Sequence, residues 1–269
     1  MNFEPELKAV RGPNSIRFRY VVADVAFILA IAAQALSQDT HFDKKNGKQV
    51  MPEYVQEFFM SEAVRCQEKG EFQLTFATNS LERVGFTAEI QSEFGVTDRL
   101  QLSIEAPYGT KHTYDEPETL RKWGPMNVGI LYAFISRDHP FAMSAGMMVE
   151  VPVTSTEGLG YEPTILVAKT FRKLQVHASV LSEIEEMKSS FEYNIASVYP
   201  LKRHWFPTFE VNGRRRDSKN TVYVTPGMYR DYRKRIEIGI GLAVGVAGPA
   251  AATGVIAKVN WEFGGRHEQ

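Results

Sequence analysis

From residue 71 onward, apolar and polar side chains alternate. Leu100, Leu102, Ile104, Ala106 and Tyr108 stand against Gln101, Ser103 and Glu105. Ile236, Ile238, Ile240 and Leu242 stand against Glu237, Gly239 and Gly241. Val255, Ala257, Val259, Trp261 and Phe263 stand against Lys258, Asn260 and Glu262. A period of two marks a strand with one apolar and one polar face; helical spacing would scatter these residues around the axis. The same rhythm predicts about twelve strands, over 71–79, 83–95, 99–108, 126–135, 140–152, 163–172, 174–183, 190–200, 204–213, 221–231, 234–244 and 254–263. Strands 163–172 and 221–231 alternate poorly, so the pattern leaves their facing open. The connectors fall into two classes. Tight ones are Thr97-Asp98, Ser136 to His139, Arg172-Lys173, Lys202-Arg203 and Tyr232-Arg233. Longer ones are 109–125, 153–162, 184–189, 214–220 and 245–253, with the short link 80–82 as the exception. Short and long connectors alternate, as they do when turns line one rim and loops the other.

Alternation alone also fits a soluble sandwich. Strand length argues otherwise: runs near ten residues suffice to cross a membrane at a tilt, whereas ordinary strands have about five or six. Closing a dozen strands on themselves also removes exposed edges. Aromatics fall near strand ends, at Phe94, Tyr108, Phe134, Phe141, Phe171, Tyr199, Trp205, Phe206, Tyr229, Tyr232, Trp261 and Phe263, like two interfacial girdles. The expected fold is all-β: a closed antiparallel transmembrane β-barrel of about twelve strands, with short periplasmic turns and longer outer loops. The slightly negative mean hydropathy does not oppose this, because a barrel averages lipid-facing and lumen-facing residues.

The N-terminus has a different texture. Lys8, Arg11, Arg17 and Arg19 precede an apolar stretch from Val25 to Leu36, and Ala33-Gln34-Ala35 follows the small-x-small order read at signal cleavage. The stretch is too short to span a hydrocarbon core, which needs about 20 residues. Residues 1–35 therefore read as a signal peptide, 36–70 as a periplasmic lead-in with a short helix, 71–263 as the barrel and 264–269 as a tail. The helix reading rests on Val55, Phe58, Phe59, Ala63 and Val64 within Pro52 to Glu68. Cys66, the single cysteine, reads as a small buried residue.

Placing the apolar face against lipid turns the other face inward. The expected lumen-lining set is Glu89, Gln91, Gln101, Ser103, Glu105, Glu150, Lys169, Gln175, His177, Ser179, Glu192, Asn194, Glu210, Glu237, Lys258, Asn260 and Glu262. Lys or Arg on the lipid face at the midplane would cost about 2–4 kcal/mol each. The set is rich in Glu, which favours cations or hydrogen-bonding neutral solutes; the alternative is that these groups pair internally and close the cylinder. Twelve strands lie between the filled eight-stranded barrels and the open sixteen-stranded porins, so size permits both. Arg214, Arg215, Arg216 and Lys219 fall in an expected outer loop, suited to anionic lipopolysaccharide or to a solvated turn.

A net charge of −1 gives no basic bias toward nucleic acid. One cysteine excludes an internal disulfide and a thiolate zinc site, and there is no phosphate-binding loop in a strand–helix setting. Neither cofactor nor metal is expected. His177-Ala178-Ser179 has the two-apart spacing of a His–Ser pair used by an outer-membrane phospholipase, but the pair points inward and lacks a following orienting Asn, so no enzyme is expected.

Three segments carry a family resemblance: EFGVTDRLQLSIEAPY (Glu93 to Tyr108), GLGYEPTILVAK (Gly158 to Lys169) and IEIGIGLAVGVAGPAAATGVIAKVNWEF (Ile236 to Phe263). The span from about residue 69 to 263 resembles Gram-negative outer-membrane proteins described as transporters of the phenol-degradation (MetA-pathway) type. The resemblance implies a barrel in the outer membrane and uptake of small compounds, aromatic ones among them. The last strand, with Val259, Trp261 and Phe263, is similar to the signal read by the barrel-assembly machinery, although six residues follow Phe263. Expected partners are outer-membrane lipids and lipopolysaccharide, that machinery, periplasmic chaperones and an unidentified small solute. The functional expectation is passive passage of small solutes into the periplasm. A closed structural or adhesive barrel is the alternative and a lipid hydrolase the third reading.

Overall fold

Thirteen strands form one antiparallel sheet in the computed structural model: β1 (Glu71–Leu81), β2 (Gly85–Thr97), β3 (Leu100–Thr113), β4 (Glu116–Trp123), β5 (Met126–Ile135), β6 (Phe141–Val151), β7 (Gly160–Phe171), β8 (Leu174–Glu185), β9 (Lys188–Val198), β10 (Trp205–Arg216), β11 (Lys219–Tyr232), β12 (Ile236–Ala247) and β13 (Thr253–Gly264). The structure describes residues 54–82, 85–113, 116–135, 141–152, 159–185, 188–201, 204–216, 219–232, 235–248 and 252–264, together with a two-residue ladder between Lys44–Lys45 and Lys48–Gln49. The expected signal peptide and C-terminal tail lie outside the described residues, apart from Gly264.

Each strand pairs with its sequence neighbour except β4 with β5, and β13 pairs with β1 from Gly254↔Leu81 to Gly264↔Glu71. That last ladder closes the sheet. β4 and β5 both run beside β3, β4 along its far half and β5 along Leu100 to Glu105, so they act as one stave. The result is a closed barrel of twelve staves. The region 109–125, expected to be a loop, instead continues β3 and folds back as β4. Period two marks a strand only where its two faces meet different solvents, and a hairpin rising beyond the membrane has no such contrast.

The turns on one rim are tight. Arg172 has φ 56°, the left-handed conformation that two-residue hairpin loops require and L residues with side chains seldom adopt. The expected division of short and long connectors between the rims holds only in part: on the opposite rim the strands leave only 186–187 and 217–218 between them where longer loops were expected, while the first rim also includes 136–140 and 199–204. On the outer surface stand Ile90, Leu102, Ile104, Ile130, Ile238, Ile240, Leu242 and Val255, all exposed. Aromatics border this band. Phe94, Phe134, Trp205, Tyr232 and Trp261 lie toward the turn rim, Phe86, Trp123 and Tyr161 toward the loop rim. Along β2, Phe86 and Phe94 stand about 20 Å apart in height, given a ~3.3 Å rise and a ~40° tilt. A water-facing surface of this kind would expose a continuous greasy belt; against acyl chains it is satisfied.

Residues 54–70 correct the reading of a periplasmic helical lead-in: they contain no helix and lie inside the barrel. The apolar residues that suggested a helix turn to different walls. Val55, Phe58 and Phe59 pack on Ala196, Val198, Tyr229, Ala243 and Ile256, while Val64 and Cys66 pack on Leu131, Ala133, Ala142, Leu166 and Ala168. Backbone N–H groups that a helix would pair with its own carbonyls bond to wall carboxylates instead. Spacing alone cannot separate these outcomes, because three- and four-residue intervals also arise in an irregular chain wedged between two surfaces.

Candidate functional site

The inner surface of the barrel and the strap formed by residues 54–70 make up one polar site. Period two and the strand register decide which positions share a face, and the strap contacts of Gln101, His177, Glu210, Glu237 and Lys258 lie on the inner one. Glu89, Gln91, Gln101, Ser103, Glu105, Glu150, Gln175, His177, Ser179, Glu192, Asn194, Glu210, Glu237, Lys258, Asn260 and Glu262 all stand on inward-facing positions of their strands. Lys169 does not. It shares a face with Ile165, Val167 and Phe171, pairs with Phe141 and Val176, and lies 5.2 Å from the Phe171 ring centre. By register it stands on the outer face near the turn rim, yet its side chain is buried, lying along apolar neighbours with its ammonium over the Phe171 ring. The two poorly alternating strands now have a facing: Thr164, Leu166, Ala168 and Thr170 on β7, and Thr225, Gly227 and Tyr229 on β11, turn inward. Their pattern is blurred because the inner wall is apolar where the strap docks.

The strap enters at the turn rim, rises to mid-height and returns. Tyr54 stacks on Phe206 at the base of β10, and the Gln56 N–H donates to Glu237 Oε1 at 3.3 Å. Next comes the tightest grip. Glu210 accepts the N–H groups of Phe59 at 2.8 Å and Met60 at 3.0 Å, and the Ser61 hydroxyl at 3.2 Å. Lys258 donates to the Phe58 carbonyl at 2.5 Å and lies 3.5 Å from the Glu57 carboxylate. The Phe58 ring meets His177 edge-on at 4.6 Å, and Phe59 stacks on Tyr229 at 4.4 Å. On the descent, Ser144 donates to the Val64 carbonyl and Cys66 Sγ to the carbonyls of Arg99 and Leu131. Gln67 then takes Gln101, Gln73 and Glu93 as partners at 2.7–3.0 Å, and the Gly70 N–H bonds the Gly95 carbonyl at 2.8 Å.

Glycines in the wall make room for this path. A Cβ on Gly227 would lie 2.1 Å from the Phe59 ring, one on Gly241 3.0 Å from it, and one on Gly239 2.3 Å from Tyr229. Gly227 and Gly241 are paired across β11 and β12, so the hollow spans two strands. A Cβ on Gly95 would fall 1.9 Å from the Glu68 carbonyl oxygen. The sequence reading missed the strap residues and this hollow, although Gly239 and Gly241 inside a regular strand were the available sign of a close approach.

On the loop-rim side of the strap lies a cavity of about 270 Å³ lined in part by Glu57, Glu62, Glu89, Glu105, Glu192 and Lys258. Carboxylates thus outnumber ammonium groups five to one on its wall. Further toward the loop rim, Glu150, Glu162 and Glu183 on three successive strands bring carboxylate oxygens within 4.8 Å of one another. Arg214 lies inside the barrel on β10, not in an outer loop, and pairs with Glu183 and, at 3.0 Å, with Glu192. The triple-arginine run extends a strand because β10 and β11 pair as far as Arg216↔Lys219.

The His177–Ser179 pair shares the inner face but not a hydrogen bond. His177 Nε2 lies 2.9 Å from Gln175 Oε1, and Ser179 Oγ accepts from Asn194 at 3.1 Å. Neither contact activates a hydroxyl, since the nucleophile must be within reach of its base.

No protein-family model and no curated protein matches the sequence. Solved structures do match in fold. The KdgM porin superposes with TM-score 0.55 at 11% identity, covering 71% of this chain and 99% of the porin. An outer-membrane channel from Pseudomonas putida F1 gives 0.59 at 8% identity, covering 74% and 98%. The NanC porin gives 0.54 at 12%, covering 71% and 99%. At such identities the likeness concerns architecture: this chain has the closed antiparallel barrel of Gram-negative outer-membrane channels.

Proposed function

We propose that the protein is an outer-membrane channel that admits small solutes to the periplasm past an internal strap, and that its acidic interior prefers cations and hydrogen-bonding neutral molecules over anions. The observation that carries this reading is the cavity of about 270 Å³ beside the strap, walled by carboxylates in excess of basic groups. An apolar belt outside and a charged interior suit a cylinder seated in lipid, with the turn rim on the periplasmic side. One matched structure is the KdgM porin in complex with disordered oligogalacturonate, a polyanion. The carboxylate-rich wall here would repel such a ligand, so the shared architecture serves a different charge class. The resemblance to the phenol-degradation type adds small aromatic compounds to the candidate solutes. Lipid, lipopolysaccharide, periplasmic chaperones and the assembly machinery are the proposed partners. Val259 and Trp261 are presented outward on the closing strand, with Phe263 packed on Trp261 at 4.4 Å.

A second reading, a barrel sealed for structural purposes, draws on the strap's many wall contacts. Planar-bilayer recording separates the two. Purified protein should give discrete conductance steps, with a reversal potential in a KCl gradient that reports cation preference. A membrane that stays sealed at high protein load would reject the channel.

A further inference from the structure

The carboxylates around the cavity are not equivalent. Glu57 is matched by Lys258 at 3.5 Å, Glu192 by Arg214 at 3.0 Å, and Glu105 accepts from Asn127 at 3.2 Å. Glu62 and Glu89 make no hydrogen bond or ion pair among the described residues. Glu89 belongs to the fixed wall of β2. Glu62 is on the strap, immediately after the stretch gripped by Glu210.

The position of Glu62 is singular for a second reason. A smaller cavity of about 20 Å³, with room for roughly one water, lies beyond the strap against β2, β3 and β5, lined by residues including Glu93, Gln101 and Ser103. The two cavities share Glu57, Glu62, Gln91 and Thr164. The strap is pinned hard against β10 to β13 through Glu210, Lys258 and the glycine hollow, and against β5 to β7 through Val64. Between those anchorages the two spaces meet, and the strap side of that junction is Glu57, matched by Lys258, and Glu62, which has no such partner among the described residues.

We infer that Glu62 is the specificity-determining residue of the channel, an unpaired carboxylate held by the strap at the narrowest point of the path, where it admits small cations and turns back anions. This rests on the channel reading above and adds to it the residue and the place. A solute passing from the cavity toward the turn rim moves between Glu62 and Gln91, so its charge is read there and not in the wide vestibule. The anchored backbone on either side keeps the carboxylate in the path; a mobile strap would carry it away from the junction.

The test uses the full-length protein in planar bilayers under a KCl gradient, with heat-modifiable gel mobility as the check on folding. Glu62→Gln should lower the K⁺-to-Cl⁻ permeability ratio about fivefold, the effect of one charge at contact distance in water. Glu62→Lys should invert the preference. Retained cation preference in a conducting, folded Glu62→Lys protein would overturn the inference and leave the channel standing. A second measurement does not need conductance. In a Cys66→Ser background, Gln91→Cys, which places the thiol opposite an intact Glu62, should react with a cationic methanethiosulfonate faster than with an anionic one of similar size, and Glu62→Gln should abolish the difference. An unreactive thiol, or equal rates, would overturn the assignment even if the channel conducts. A sealed wild-type membrane would overturn the passage reading instead.

Discussion

Gly227 shows how little separates an open wall from an occupied one. Its missing side chain is the space in which the Phe59 ring sits, since a Cβ there would come within 2.1 Å of that ring. Gly227→Val should therefore eject Phe59, and with it the strap's hold on Tyr229. The barrel ladders on either side of residue 227 need no side chain there, so the protein should remain heat-modifiable. Trypsin should gain access to Arg65, and conductance should rise. Gly109→Ala supplies the contrast: its nearest neighbour would be Thr87 Cγ2 at 3.5 Å, ordinary contact distance, and it should behave as wild type. Unchanged protease resistance in Gly227→Val would show that Phe59 has another place to go. At this scale, the sequence was legible where a residue's partner is lipid, and obscure where its partner is the strap. Glu210 and Asn260 are fully buried and polar, and nothing in their neighbourhood along the chain reveals that one grips a distant backbone and the other bonds Glu237. Lys169 was misread for a related reason: near a rim the membrane's penalty on an outward ammonium fades, and with it the pattern that locates the side chain.

Each strand is decided by which of its faces meets acyl chains. Ile240 is 60% exposed on the outer surface of β12, in the middle of the apolar band. Ile240→Arg should cost about 2–4 kcal/mol at that depth and block assembly, leaving a protein that lacks the heat-modifiable gel shift. Asn194→Arg places the same charge into the cavity beside Glu192 and should fold normally. Equal folding of the two would mean that the faces are reversed. The spans expected from alternation agree closely with the strands, because the membrane imposes a sharp contrast over about ten residues. The hairpin of β3 and β4 escaped notice since it rises past that contrast. Strand β5 pairs with β3 from Leu100 to Glu105 without help from β4, so the hairpin is an appendage to closure and not a condition for it.

For the molecule as a whole, closure and constriction are separate achievements. The β13–β1 ladder begins at Glu71, just after the strap ends, and uses none of its residues. Removal of residues 54–66 should therefore leave a folded barrel while widening the path, read as a several-fold larger single-channel conductance. Conductance equal to wild type would remove the strap from the role of constriction. The strap enters and leaves at the turn rim, where β13 also ends. It tolerates many hydrophilic wall groups because it satisfies them, with Glu210, Lys258, Gln101 and Glu93 each bonded to strap atoms.

The chain's own rhythm determined the all-β class, the number of staves, nearly every facing and the acidic character of the interior. These follow from one local rule, that successive side chains in a strand meet opposite solvents, and a local rule can be read without knowing what else is near. Tertiary structure alone decided that residues 54–70 turn back into the cylinder, that Gly227 and Gly241 form a seat for Phe59, and that Glu62 is left unpaired at the junction. Each of those depends on groups brought together from distant parts of the chain, as when Glu210 meets the Phe59 backbone, and such meetings exist only once the sheet has closed.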